Sequence, residues 1–172
     1  MADINDSTLL HNTGIHAEDA CIVIVRTEWN AAVIDELEKG CLEALRQNKV
    51  TKVSSITVPG AFEIPFGVRM YWEAARYSDN RPLAFIALGC VIRGDTPHFD
   101  YVCKGVTDGI IQLNLSLPVP TIFGILTVDN QQQADERIGG KHGHKGTEAA
   151  ITALKMIALQ QSVKDISLKI GL

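Results

Sequence analysis

Basic residues are scarce in this 172-residue chain: 16 Lys and Arg stand against 20 Asp and Glu, a formal net charge of −4. Nucleic-acid footprints and polybasic membrane surfaces need clustered Lys and Arg, so neither a nucleic acid nor a membrane is expected as a partner. No apolar run approaches the roughly 20 residues that span a bilayer. Residues 1–19 also lack the basic segment followed by an apolar one that makes a secretory signal. The four cysteines, Cys21, Cys41, Cys90 and Cys103, form no Cys-x-x-Cys pair. Without a secretory signal they read as reduced thiols of a cytoplasmic protein, present as small apolar side chains. There is no internal repeat, low-complexity tract or long linker, and 46% hydrophobic content at this length supports one sizeable core, hence one domain.

Nucleotide signatures are missing too. Gly89 and Gly94 followed by Asp95-Thr96 nearly spell a P-loop, but an acid stands where lysine must pair with nucleotide phosphates. No Gly-x-Gly-x-x-Gly follows any predicted strand, so no dinucleotide cofactor is expected. His142 and His144 lack an acidic or cysteine partner at ligand spacing and read as a solvated turn instead of a metal site.

What is present is an alternation of two periods. Ala20–Val25 reads as a first strand, and Val33, Ile34, Leu37, Cys41, Leu42 and Leu45 recur at helical spacing behind it. A second strand, about Lys52–Val58, precedes Pro59-Gly60 and a helical stretch through Trp72 and Ala75. The apolar run Leu83–Leu88 is a buried parallel strand, and Phe99, Val102, Cys103, Val106, Ile110 and Leu113 follow it at helical spacing. A fourth strand, Val119–Val128, leads to a short helix near Gln131–Ile138. A glycine-rich turn from Gly139 to Gly146 then reads as a connection to a long helix carrying Ile151, Leu154 and Ile157. Strict βα alternation predicts an α/β protein: a three-layer α/β/α sandwich, flavodoxin-like, with a four-stranded parallel sheet at its centre. The expected boundaries are a polar tail at 1–19, a domain at 20–162 and a C-terminal tail at 163–172.

In such sheets ligands bind outside the carboxyl ends of the strands. That rule gathers Arg26–Asn30, Val58–Pro65, Gly89–His98 and Thr127–Asn130 on one edge. The third of these turns is the most telling, because it lies between a strand and the mouth of a helix and contains His98. A helix N-terminus favours anions, so the turn can cradle a phosphate beside a group suited to proton transfer near neutral pH. Trp29, just past the first strand, is placed to stack on a ring. Phe62 either does the same or packs locally. For Arg137, at the end of the short helix, a dipole-stabilising role and a bidentate clamp on phosphate or carboxylate both remain open. A phosphoacceptor receiver domain is excluded, since Val25-Arg26-Thr27 and Gly89-Cys90 occupy the strand ends where it needs clustered carboxylates. A non-catalytic flavin- or pterin-binding module is the remaining rival, and His98 beside a phosphate-sized turn argues against it.

Four ordered motifs sharpen this reading: Val58-Pro-Gly-Ala-Phe-Glu-Ile-Pro65, Leu88-Gly-Cys-Val-Ile-Arg-Gly-Asp-Thr-Pro-His98-Phe-Asp-Tyr101, Pro120-Thr-Ile-Phe-Gly-Ile-Leu-Thr127 and Gln132-Gln-Ala-Asp-Glu-Arg137. Together, from about Ala20 to Gln161, they resemble the lumazine synthase family of riboflavin biosynthesis. The resemblance implies condensation of 5-amino-6-(D-ribitylamino)uracil with 3,4-dihydroxy-2-butanone 4-phosphate to give 6,7-dimethyl-8-ribityllumazine, phosphate and water, with no metal or organic cofactor. It implies a pyrimidine-stacking role for Trp29, ribityl contacts at Ala61, Phe62 and Glu63, and a strand edge beside the pyrimidine at Cys90, Val91 and Ile92. Asp95 and Thr96 fall on the phosphate-binding turn, His98 on the proton-transferring histidine and Arg137 on the phosphate-binding arginine. Phe123 matches a ring that closes the pocket from a neighbouring subunit, and Lys145 a lysine near the pyrimidine carbonyl. His142 and His144 depart from the family's usual Lys-Ala-Gly-Asn-Lys-Gly run. The resemblance further implies a homo-oligomer of ring-shaped pentamers, which in many members build an icosahedral shell, and it adds riboflavin synthase to the candidate partners. The short turn Ile138–Gly146 lacks the insertion that keeps some members as free pentamers, which favours the shell.

Overall fold

The computed structural model describes residues 19–170, so the polar tail expected at 1–19 lies, except for Asp19, outside the described residues. Its elements in chain order are β1 (Cys21–Thr27), α1 (Ala31–Gln47), β2 (Lys52–Val58), a 3-10 turn at Ala61–Glu63, α2 (Ile64–Ala75), β3 (Ala84–Ile92), α3 (His98–Ser116), β4 (Thr121–Val128), α4 (Gln131–Asp135), β5 (Ile138–Gly140), β6 (Gly143–His144) and α5 (Lys145–Ile170). The main sheet is parallel with strand order β2-β1-β3-β4. That order explains the composition of each strand. The central strands, Cys-Ile-Val-Ile-Val-Arg-Thr and Ala-Phe-Ile-Ala-Leu-Gly-Cys-Val-Ile, are covered on both faces and run almost continuously apolar. The edge strand β2 carries Lys52, Ser54, Ser55 and Thr57 exposed.

Alternate residues of the sheet feed two separate cores. Ile22, Ile24, Ile86, Leu88 and Leu126 pack with Ile34, Leu37 and Leu45 of α1 and Leu154 of α5. Val23, Val25, Phe85 and Ala87 face the other way, against Ile64, Val68 and Trp72 of α2 and Val106 and Ile110 of α3. The three-layer α/β/α sandwich expected from the alternation is therefore present, with α1 and α5 on one face and α2 and α3 on the other. Glycine decides how closely α1 meets the start of α5. A Cβ on Gly146 would lie 1.9 Å from the Leu37 carbonyl oxygen, and one on Gly40 would lie 2.1 Å from the His144 ring.

Several boundaries differ from the sequence pattern. β3 continues through Cys90, Val91 and Ile92, which stay in register with Leu126, Thr127 and Val128. The polar turn before α3 thus shrinks to residues 93–97. β4 begins at Thr121 instead of Val119, because Pro120 has no N–H to give a ladder and Asn114 clamps both backbone groups of Thr121 at 2.7 and 3.0 Å. The glycine-rich segment is not a plain helix connection but an antiparallel hairpin, β5 with β6, using positive φ at Gly139 (113°) and Gly143 (76°). Its histidines are not simply solvated: His142 Nε2 faces Glu136 Oε2 at 3.6 Å, and His144 packs on Gly40. α5 runs on to Ile170, into the segment 163–172 expected as a C-terminal tail.

Candidate active site

The four parallel strands end on one edge, and side chains tie their turns together. After β1, Asn30 adopts a left-handed conformation (φ 59°, ψ 42°) at the start of α1. Asparagine tolerates that region better than most residues. Its Nδ2 donates to the Cys90 carbonyl at 2.9 Å, fastening the Trp29 turn to β3. The Glu28 N–H donates to the Val58 carbonyl at 3.0 Å and joins the same turn to the end of β2. Trp29 itself is 73% exposed.

The turn after β2 begins α2 with Pro65 in its first turn, where a missing N–H costs nothing. Ala61 is buried, while Phe62 and Glu63 are exposed. Phe62 packs locally, since a Cβ on Gly105 of α3 would meet its ring at 2.4 Å, while 60% of the residue stays exposed. In β3, Cys90 is buried and Val91 and Ile92 are half-buried. Burial, with a smaller contribution from Asp135, pushes the Cys90 thiol up to about 11, and burial pushes Cys41 up to about 12. Neither is a nucleophile near neutral pH. All four cysteines are free thiols, as expected.

Beyond β3, Asp95, Thr96 and His98 are exposed. No side chain caps α3, whose first residue is His98. The first turn of α3 therefore presents N–H groups and a positive dipole end next to an accessible imidazole, groups chemically suited to an anion and to proton transfer.

Three of the candidate residues lie elsewhere. Phe123, Arg137 and Lys145 line a groove of about 900 Å³ along the open edge of β4, walled on its far side by α5. Arg137 is half-buried, and its Nη1 donates to the Gln133 carbonyl at 2.7 Å. Lys145 Nζ donates to both carboxylate oxygens of Glu148 at 2.8 and 2.9 Å. Trp29, Ala61, Phe62, Glu63, Cys90, Val91, Ile92, Asp95, Thr96 and His98 do not line this groove. The structure thus divides the candidates into a strand-end group and a groove group within one chain.

Sequence reasoning missed Asn30 and Arg93. Asn30 had a usable signal, an asparagine directly before a helical pattern. Arg93 had none, since its partners Asp100 and Asp129 lie seven and 36 residues away. Among the described residues, no group of three or more His, Cys, Asp and Glu is arranged to hold a metal ion, and no helix is long and apolar enough to cross a membrane.

A doubly wound parallel sheet carrying an exposed tryptophan, an uncapped helix start and an accessible histidine on its carboxyl edge is the architecture of an α/β enzyme acting on small molecules. Comparison with known proteins narrows the class. The family described as 6,7-dimethyl-8-ribityllumazine synthase matches residues 19–161. A protein of Porphyromonas gingivalis with that name is 49% identical over 146 residues, covering 84% of this chain and 88% of its own. Proteins with the same name from Parabacteroides distasonis and Phocaeicola vulgatus are 47% and 42% identical, covering 82% and 89% of this chain and 86% and 89% of their own. The chain belongs to the 6,7-dimethyl-8-ribityllumazine synthase family.

Proposed function

We infer that this enzyme condenses 5-amino-6-(D-ribitylamino)uracil with 3,4-dihydroxy-2-butanone 4-phosphate, the penultimate step of riboflavin biosynthesis, with His98 as its proton carrier. The observation that carries the assignment of His98 is its place as the exposed first residue of an uncapped helix at the end of a central strand. The aryl amine attacks the ketone and one water leaves as the imine forms. Phosphate departs next, and the second amine closes the ring with loss of another water. Each of these steps moves a proton, and one imidazole near neutrality can serve several of them.

The other candidates divide the binding work. Trp29 stacks on the pyrimidine, Ala61, Phe62 and Glu63 hold the ribityl chain, and the Cys90–Ile92 edge flanks the ring. The backbone at Asp95 and Thr96, with the start of α3, receives the phosphate, which Arg137 clamps from a second copy of the chain. Phe123 and Lys145 of that copy complete the pyrimidine pocket. Arg137 lines a groove that the phosphate turn does not line, which supports a site shared between subunits. Holding both reactants in register lowers a barrier by roughly 7–11 kcal/mol in well-oriented cases, which suits a site needing neither metal nor cofactor. The working form is a cytoplasmic homo-oligomer of pentamers, assembled as an icosahedral shell, with residues 20–162 as the catalytic unit and riboflavin synthase as a partner.

The test is to mix both substrates with the purified protein and follow phosphate release together with the lumazine chromophore. Both appear in equal amounts with the native chain, and His98→Ala slows both by about 10²-fold or more, the usual scale for a lost general acid or base. Chromophore formation by His98→Ala at the native rate would remove His98 from its role.

A further inference from the structure

We propose that Arg93 is a positioning residue that locks the His98 turn into its working shape, and that it is not a ligand of the phosphate. The inference rests on the reading of His98 as the proton carrier. The turn 93–97 has little else to hold it. Residues 93–98 are exposed, a Cβ on Gly94 would meet nothing within 4 Å, and no side chain caps α3. The Arg93 N–H anchors one end on the Val128 carbonyl at 2.9 Å. The Arg93 side chain then closes the turn from both flanks. Nε donates to Asp129 Oδ1 at 2.9 Å, beyond the end of β4, and Nη1 donates to Asp100 Oδ1 at 3.2 Å, in the first turn of α3. The guanidinium also lies over the Phe99 ring, 4.1 Å from its centroid.

These contacts reach the two residues that follow His98 and the neighbouring strand end at once. A planar guanidinium with five donors can bond two acceptors and stack on a ring together, which a lysine ammonium cannot reproduce. An arginine inside a phosphate-sized turn invites assignment as a phosphate ligand. Here two carboxylates already engage the guanidinium, at Nε and Nη1, so its charge and those donors are committed within the protein. Both ion pairs are exposed, so each contributes little to stability. Their consequence is geometric, and geometry is where a proton carrier is sensitive.

Steady-state kinetics on the assembled enzyme provide the test. In Arg93→Gln, kcat should fall by about 10-fold, given that a misplacement near 1 Å can cost about 10² in rate. KM for the uracil substrate should stay within about 2-fold and Tm within about 2 °C of the native values. In a His98→Ala background the same substitution should cost less than about 2-fold, because residues that act as a unit are not additive. Arg93→Lys, which keeps the charge without the fork, should recover less than half of the loss, and Asp129→Asn should fall between the native enzyme and Arg93→Gln. The proposal is overturned if Arg93→Gln keeps native kcat, if Arg93→Lys restores it fully, if the two losses simply add, or if the loss appears only as a raised KM for the phosphate substrate. If Arg93→Gln does not fold, Asp129→Asn and Arg93→Lys decide by the same criteria. A native enzyme that makes no lumazine, or a His98→Ala variant that matches it, defeats the reading of His98 instead.

Discussion

At the scale of single residues, Trp29 and Trp72 show how position separates two identical side chains. Trp72 is buried in the core beneath α2 and α3, whereas Trp29 is exposed on the ligand edge beside the Asn30 link to β3. A large ring left in water gains most by covering itself with another flat apolar surface. With Trp72→Phe to remove background, Trp29 fluorescence should be quenched as a pyrimidine or flavin analogue saturates the protein, and a signal that stays constant at saturation contradicts the stacking role. The exposed place of Trp29 was legible in the sequence because it depends only on following a strand end. The position of His98 at the mouth of α3 was legible for the same reason. Arg93 was not, because an arginine's partner is chosen by the fold and its spacing in the chain carries no trace of Asp129.

At the scale of elements, glycine governs how α1 meets the start of α5. Residue 146 is helical, yet a Cβ there would press on the Leu37 backbone oxygen at 1.9 Å, and backbone cannot swing aside as a flexible side chain can. Gly146→Ala should therefore destabilise despite alanine's better helix propensity. Overpacking of this kind costs about 3 kcal/mol, which for a chain of this length is a fall of about 6–12 °C in Tm. Thermal unfolding checks this, with Gly94→Ala as the control, since that position opens on free space. An unchanged Tm for Gly146→Ala would mean that the two elements separate at no cost. The short strands of the hairpin were invisible in the sequence, because five residues rich in glycine carry no hydrophobic period.

At the scale of the whole molecule, one chain leaves much apolar surface uncovered. Phe66 and Met70 on α2, Ile111 and Leu115 on α3, and Met156, Leu159, Val163 and Ile166 on α5 are all 40–78% exposed. Clusters of this kind belong to contact surfaces. The open edge of β4, with the groove beside it, adds unpaired backbone to the same argument. Light scattering should find no monomer, and the mass of the particle distinguishes a pentamer from a shell. Sharing of the site has its own test. If His98 and Arg137 of each working site come from different chains, equal amounts of His98→Ala and Arg137→Ala, refolded together, should regain about a quarter of native activity, because one site in four then has both partners intact in a closed ring. Activity no higher than that of the separate variants would place both residues in one chain's site.

Local pattern determined much of this protein before any contact was known. The apolar runs of β1 and β3 read as strands, the alternation with helices implied a parallel sheet, and a parallel sheet sends the turns that follow its strands to one edge. The motifs on those turns were enough to indicate the family. Tertiary structure alone decided that β3 runs on to Ile92 against β4, since ladder pairing and not hydropathy sets a strand's end. It alone packed His144 onto Gly40, joined Arg93 to Asp129, and gathered Arg137, Lys145 and Phe123 along a groove that His98 does not line. Those outcomes depend on which residues meet across tens of positions, and periodicity, which reports only a residue's own face, holds no information about its distant neighbour.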